Sequence, residues 1–393
     1  MDIRDAQFYD LIARGLGTGD YQTFFDDYLA QKYNRLNISG VDWDPDIQID
    51  FSFTQLEADF DIYTMPTYVD VDSPGVYKST QGFELSTGKI PRMRHGYAIN
   101  EKILREEMAI FQKTGSFSTD LSTRMRDLLF DHSDKLIGGG RNAFTYQRDQ
   151  MVSKREFQIT LENNPGGIKG ITLGTNKYPE NKTVLTGNKR WFTNLSSDGT
   201  LPDSLTPGSE SDPIKDLKDR VRKLKNMGII NCQYEVEYDT FQITIQHPKV
   251  RTAVVLSMYP LTQNSNVESI AANLTDEAVK SGLERLIGCP IVVNEDVVAV
   301  EKFDKQSGKV ERKQIKAFEP NVWVLMPIGN IGNIKSVMPI VVDPNARVAT
   351  FDGGRSILKQ WFNAETNTQY IEYECTALVV LDKVKYMLYL TIG

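Results

Sequence analysis

Residues 63–100 constrain this chain more than any other stretch. They contain two strand-prone arms, 67–77 and 83–97, joined by polar turn residues around 79–82. Tyr68, Val69 and Val71 in the first arm, and Phe83, Leu85, Ile90 and Tyr97 in the second, are β-formers. Their apolar residues are too thinly spaced to make a core, while Lys78, Lys89, Arg92, Arg94 and His95 keep the surface polar. A two-stranded hairpin alone is marginal in water. Arms of about 15 residues at roughly 3.3 Å each would project some 50 Å. Such an element needs a surface to lie on, and the surface expected is another copy of the chain.

With 393 residues the chain can bury a sizeable core and is expected to form two or three subdomains. Its 40% hydrophobic and 25% charged residues fit an ordinary globular protein. No apolar run approaches the roughly 20 residues of a membrane span, and MDIRDAQFYD lacks the basic and apolar regions of a signal peptide, so no membrane partner is expected. Cys232, Cys289 and Cys375 are odd in number and far apart in sequence, which predicts a reducing compartment and buried thiols. The net charge of −7 is concentrated in the first sixty residues, leaving the remainder near neutral. No basic stripe of the kind that a free nucleic-acid binder carries is evident.

Along the chain, helices are expected at 5–14 and 20–32, separated by GLGTGD. That break follows a helix and lacks the Lys-Ser or Lys-Thr of a phosphate loop, so it reads as a helix stop and an Asp20 cap. DWDPDIQIDFSF alternates, with Ile47, Ile49, Phe51 and Phe53 on one face. Ile103, Leu104, Met108 and Phe111 give a short amphipathic helix. A long helical pattern starts with Ser118 or Thr119 as N-cap and carries Leu121, Met125, Leu128, Leu129, His132 and Leu136. It continues across Gly138, Gly139 and Gly140 to Met151; the glycines mark a bend or a close approach of another backbone. FQITLENNPGGIKGITLG reads as a hairpin, and Asp212–Pro213 opens a helix with Ile214, Leu217, Val221 and Leu224 buried. Beyond it a strand is expected at 232–245, helices after Pro248 and at 276–287, and a strand at 290–303. KQSGK then makes a hairpin turn, 322–327 is a buried strand, and strands 370–380 and 385–392 close the chain. The organisation is mixed α+β.

Chemistry is thinly signalled. His95, His132 and His247 belong to no HxxxH or HExxH pattern, and neither a GxSxG nor a GxxxxGK[ST] motif occurs. The Gly329–Asn333 stretch, GNIGN, is read as a turn between strands rather than an anion cradle. Glu235, Glu237 and Asp239 alternate on one face and read as a solvated strand edge rather than a metal site. Arg190–Trp191 reads either as a nucleotide-stacking pair or as an interface anchor. Neither an enzyme nor a cofactor is expected, and an α+β enzyme acting on a small polar substrate is the weakest of the readings.

Taken in order, the acidic start, MPTYVDVDSPGV and STGKIPRMR, the long helix, NKRW, DPIKDLKDRVRKLKNMGI, HPKV, LERLIGCPIVVNEDVV and VWVLMPIGNIG resemble the major capsid proteins of tailed bacteriophages. The likeness is to the group similar to the lambda capsid protein E, which carries the Hong Kong 97 fold. That resemblance implies an N-terminal arm at 1–62 and an extended loop at 63–100 lying over an adjacent subunit. It implies a peripheral domain at 101–212 with a spine helix at 119–156, an axial domain at 213–350, and closing strands at 351–393. Intersubunit contacts are then expected at Tyr77, Lys78, Phe83, Lys89, Arg92 and Arg94 in the loop, and at Asp42, Trp43 and Asp44 in the arm. Some family members crosslink their shells through a loop lysine, but nothing marks Lys78 or Lys89 as reactive. The expected partners are further copies in hexamers and pentamers, a portal protein, scaffold and decoration proteins, and packaged double-stranded DNA held without sequence preference. The chain starts at Met1, from which a separate scaffold rather than a removed segment is expected. The expected location is the virion shell, with the host cytoplasm during assembly. An encapsulin-like cellular compartment of the same fold is the alternative.

Overall fold

The computed structural model describes residues 38–56, 85–100, 102, 120–165, 170–174, 178–196, 202, 204–258, 266–303, 310–341, 347–363, 365 and 368–393. The expected helices at 5–14, 20–32 and 103–111, the caps Ser118 and Thr119, the first loop arm 67–77 and the turn 305–309 lie outside these residues. The chain divides into two compact units, each assembled from three separated stretches. One comprises 1–53, 89–145 and 334–379; the other comprises 54–88, 146–333 and 380–393. This grouping cuts across the consecutive stretches expected from the sequence, because each sheet draws strands that are distant along the chain.

The first unit is built on a six-stranded sheet. Its order is Val41–Gln48, Gly332–Val337, Thr368–Leu381, Ser356–Asn363, Arg347–Phe351, with Arg92–Asn100 also pairing with Thr368–Leu381. The 14-residue strand Thr368–Leu381 is the centre: Ser356–Asn363 and Arg92–Asn100 both run antiparallel to its first half. Ile371, Tyr373, Cys375, Ala377 and Val379 are buried along one face, and from Tyr373 onward the alternate residues are buried too, the pattern of a central strand covered on both faces.

The expected long helix is present as Asp120–Lys154, 35 residues without interruption at the glycines. Its residues up to Thr145 belong to the first unit. A Cβ on Gly139 would stand 2.6 Å from Cε1 of His95, and one on Gly140 would stand 2.4 Å from Cζ of the buried Tyr373. The glycines therefore make room for side chains rather than for a bend or a second backbone. Nothing lies within 4 Å of a Cβ on Gly138. His95 Nε2 meets the Leu136 carbonyl at 2.7 Å, its ring is edge-on to Tyr373, and Tyr97 stacks on His132 at 4.5 Å.

The second unit holds a five-stranded mixed sheet ordered Lys182–Val184, Leu388–Thr391, Val322–Pro327, Cys232–Glu237, Ile291–Asn294. The outer pairs are parallel and the inner pairs antiparallel. The expected buried strand Val322–Pro327 is buried at every position. Helix Pro213–Asn226 starts as the sequence implies, with Asp212 accepting from the Lys215 N–H and Pro213 in the first turn; Leu217, Val221 and Leu224 enter the core. Helices Tyr238–Gln246, Pro248–Met258, Val267–Ala272 and Asp276–Ile287 complete the set. The last is capped by Thr275 and stopped by Gly288 at φ 74°. Trp191, Tyr234 and Trp323 meet at the centre, with the Trp191 indole donating to Asp216 Oδ2 at 2.9 Å.

Three expectations need correction. The stretch 232–245 is a strand, Cys232–Glu237, followed by a helix, Tyr238–Gln246: Glu237 caps that helix by accepting from the Thr240 N–H at 2.8 Å. The stretch 290–303 is two strands in different sheets, Ile291–Asn294 and Val297–Phe303, separated by Glu295 and Asp296. The residues 47–53 do not share a face, because the strand ends at Gln48 and a bend intervenes at Asp50, its carboxylate accepting from the Phe51 N–H at 2.7 Å and from the Ser52 hydroxyl at 2.6 Å. Two hairpins match expectation: Glu156–Ile159 pairs with Ile171–Gly174, and Val297–Phe303 pairs with Val310–Lys316.

Candidate functional site

Of the residues expected to contact a neighbour, Tyr77, Lys78 and Phe83 lie outside the described part. Lys89 is exposed at the end of strand Leu85–Lys89, which pairs with Ser52–Leu56 of the same chain. Arg92 and Arg94 stand on a strand of the six-stranded sheet, facing Glu372 and Glu374 across the ladder. Arg92 pairs with Glu374; Arg94 Nε donates to Glu372 Oε1 at 2.9 Å; Lys359 Nζ reaches Glu372 at 3.0 Å and also pairs with Glu374. Burial pushes the Glu372 carboxyl up, but the hydrogen bonds from Arg94 and Lys359 outweigh it and hold the group below its ordinary value. Residues 85–100 are thus anchored on their own chain through two strands, which a sequence scan cannot see because the partner strands lie far away in sequence.

The arm residues divide in the same way. Asp42 is exposed, Trp43 is half-buried against Phe144 with the Arg355 guanidinium 5.5 Å over its ring, and Asp44 is buried in an ion pair with Lys335. Past the end of this strand, Ile49 is 92% exposed, and in the adjoining stretch Met338 and Ile340 are 62% and 72% exposed. The two stretches are tied together by the Met338 N–H donating to the Gln48 carbonyl at 3.0 Å. With the exposed Phe51, these side chains leave apolar surface open on two neighbouring stretches of the first unit. Open apolar surface of this kind marks contact surfaces.

In the second unit, Glu235 and Glu237 are buried, which corrects the reading of a solvated edge; Asp239 sits in the first turn of a helix. Glu235 Oε2 accepts from Arg148 Nη2 at 2.6 Å, and Arg148 Nη1 also donates to Asp149 at 2.7 Å. Burial pushes the Asp149 carboxyl up to about 6, against the pull of Arg148. Above this cluster a cleft of about 280 Å³ is lined by Glu237, Asp239, Asn294, Glu295, Asp296 and Lys316, with Tyr238 and Val297 among its apolar walls. Asn294 joins cleft and cluster by donating to Glu235 at 3.0 Å. Lys316 spans the cleft, bonded to Glu237 at 2.7 Å and to Asp239; burial opposes its charge, but these two carboxylates hold it above the ordinary lysine value.

Arg190 and Trp191 are neither a stacking pair nor an anchor: Trp191 is buried in the core, and Arg190 donates to the Leu195 carbonyl at 2.8 Å. His247 is buried too, accepting from the Lys249 N–H at 3.2 Å on Nδ1 and meeting Ser211 Oγ at 3.0 Å on Nε2. The three thiols are free and buried, as expected, but the sequence did not reveal that Cys232 and Cys289 lie 3.9 Å apart. The Gly329 turn has φ 103°, and Asn330 Oδ1 accepts from the Gly332 N–H at 2.9 Å, a turn built on itself. Among the described residues no group of His, Cys, Asp and Glu could hold a metal ion, and no helix is long and apolar enough to cross a membrane.

No family model and no curated protein matches this chain. Among solved structures, it is similar to a protein assigned as the capsid protein of a prophage of Escherichia coli CFT073: 13% identity, 79% of this chain and 80% of that one, TM-score 0.45. A phage-related protein of Bordetella bronchiseptica RB50 aligns at 11% identity over 97% and 95% of the two chains, TM-score 0.43. The capsid of cyanophage A-1(L) aligns at 9% over 93% and 92%, TM-score 0.43. At such values these are distant likenesses.

Proposed function

We propose that this chain is a self-assembling shell subunit, the major capsid protein of a tailed bacteriophage. It builds hexamers and pentamers of an icosahedral shell around double-stranded DNA. One observation carries the reading: Ile49, Phe51, Met338 and Ile340 stand exposed just beyond the ends of two paired strands, one of them an edge of the six-stranded sheet. Exposing such side chains to water costs roughly 25 cal/mol per Å² of apolar surface, which a second copy recovers by covering them. The 35-residue helix, at the place where the resemblance puts the spine, agrees with it. In this reading parts of the arm 1–62 and of the extended loop 63–100 reach to neighbours, and many modest contacts add up through high effective concentration. A portal, a scaffold and the packaged DNA are further partners in the proposal, and the near-neutral body suits weak, sequence-blind contact with DNA.

The test is to purify the full chain and follow its size by light scattering and negative-stain microscopy over a concentration series. Closed shells or rings of five or six are expected. A chain that stays monomeric at every concentration overturns the reading. Ile340→Asp, which places a charge on this open apolar surface without touching the core, is expected to raise the concentration needed for assembly while leaving the melting curve unchanged.

A further inference from the structure

We propose that the hairpin Val297–Phe303/Val310–Lys316 of one copy docks into the acidic cleft at the base of the same hairpin on the next copy. This deepens the shell reading and rests on it. Among the described residues the two strands pair only with each other, from Val297 opposite Lys316 to Phe303 opposite Val310. None of the side chains described at 297–301 and 311–316 is buried. A two-stranded ribbon of this kind is marginal alone and gains stability from a third surface. Among the described residues, the only ion pair that it makes with the rest of its chain, apart from those of Lys316 at the cleft, is Lys313 with Glu162 at 3.7 Å, between two exposed side chains.

Charge selects the surface. Between 298 and 315 the hairpin carries five basic residues against three acidic ones. The cleft carries four carboxylates against Lys316, and the exposed Glu295 and Asp296 have no cationic partner among the described residues. Strand Val297–Phe303 leaves from the cleft rim and runs about 23 Å at roughly 3.3 Å per residue. The register places Lys313 and Arg312 opposite Val300 and Glu301, next to Lys302, away from the acidic receptor at the base of the same element. Such polarity suits a head-to-tail contact, the kind that builds rings when its rotation closes, and not a two-fold one that sets like charge against like. Tyr238 and Val297, 43% and 53% exposed at the cleft, supply the apolar area around which a polar rim excludes water.

The experiment compares Glu295→Lys, Lys313→Glu and the double variant with the wild type, at the concentration where half of the wild type is assembled by light scattering. Each single reversal is expected to cut the assembled fraction about tenfold, and the double variant to recover to within about threefold, because the swapped charges again complement each other. Both positions are exposed, so melting midpoints measured alongside should match the wild type. If either single variant melts early, Glu295→Gln and Lys313→Gln are read in its place, each expected to lower the assembled fraction. A wild type that assembles together with single reversals that assemble equally well overturns the docking and leaves the shell reading standing. Single reversals that fail without recovery in the double variant overturn it too. A wild type that never associates overturns the shell reading itself.

Discussion

Strand Val322–Pro327 and the hairpin that follows strand Ile291–Asn294 belong to the same unit and share valine-rich β-forming sequence, yet they end in opposite environments. VWVLMP is apolar without interruption, has a strand on either side, and is buried throughout. In VVAVEKF and VERKQIK charges follow the valines, at 301–302, 311–313 and 316; each strand has a single neighbour, and no described side chain is buried. β-propensity is common to both, so it does not decide burial. What decides is the number of partners that the sequence leaves room for: a strand apolar along its whole length demands cover on both faces, and a pair of strands carrying clustered charge on both faces resists it. A subunit that binds copies of itself needs both kinds, one for a rigid body and one for an open contact.

The largest effect expected from breaking this contrast is at Trp323, which touches Trp191, Tyr234 and Phe241. Trp323→Ala is expected to lose about 3–5 kcal/mol of unfolding free energy in a urea titration, the usual cost of emptying a buried aromatic site. A loss near the scatter of surface substitutions would mean that the three rings do not form one packed core.

Next comes His247, in the same core. Burial, with Lys249 beside it, pushes its imidazole down to about 4, so the folded protein keeps it neutral while the unfolded chain protonates it near its ordinary value of 6.5. Its contribution is present in full above pH 6.5 and is lost as pH falls towards 4, amounting to about 3 kcal/mol at about 1.4 kcal/mol per unit. Asp149 works in the opposite sense: raised to about 6, it favours the folded state more as pH falls through that value. His247→Asn is therefore expected to destabilise at pH 7 and to flatten, or reverse, the loss between pH 6.5 and 4. Denaturant melts at four pH values check this, and parallel curves for variant and wild type would exclude the histidine as the source.

The sequence made legible what depends on near neighbours. The cap at Asp212, the stop at Gly288 and the buried strand 322–327 each follow from residues a few positions apart. The helix 120–154 could be read through three glycines because its apolar period resumes on the far side. What the glycines serve could not be read, since His95 and Tyr373 come from strands far from the helix in sequence. The same limit applies to the candidate site. Arg92 and Arg94 were legible as exposed basic residues on a strand, but Glu372 and Glu374, which they face, lie about 280 residues away. The cleft draws its carboxylates from a helix start and from the two-residue break between strands, and both are hidden in sequence by the β-forming residues on either side. Carboxylates that alternate at 235, 237 and 239 look like one solvated face until Glu237 is seen to end the strand and cap the helix.

The smallest effect is on the hairpin. Arg312 Nε donates to Glu301 Oε1 at 2.7 Å across the ladder, with side chains 72% and 51% exposed. A pair so open to water holds two long side chains in place for little gain, and a double-mutant cycle with Arg312→Ala and Glu301→Ala on the dilute, unassembled protein is expected to give about 0.2–1 kcal/mol. Raising the salt to 0.5 M should remove most of it, because solvent ions screen charges of this exposure. A coupling above about 2 kcal/mol, indifferent to salt, would mean that the pair is shielded within its own chain. The hairpin would then be a covered element like strand 322–327, and the contrast between body and arm would disappear.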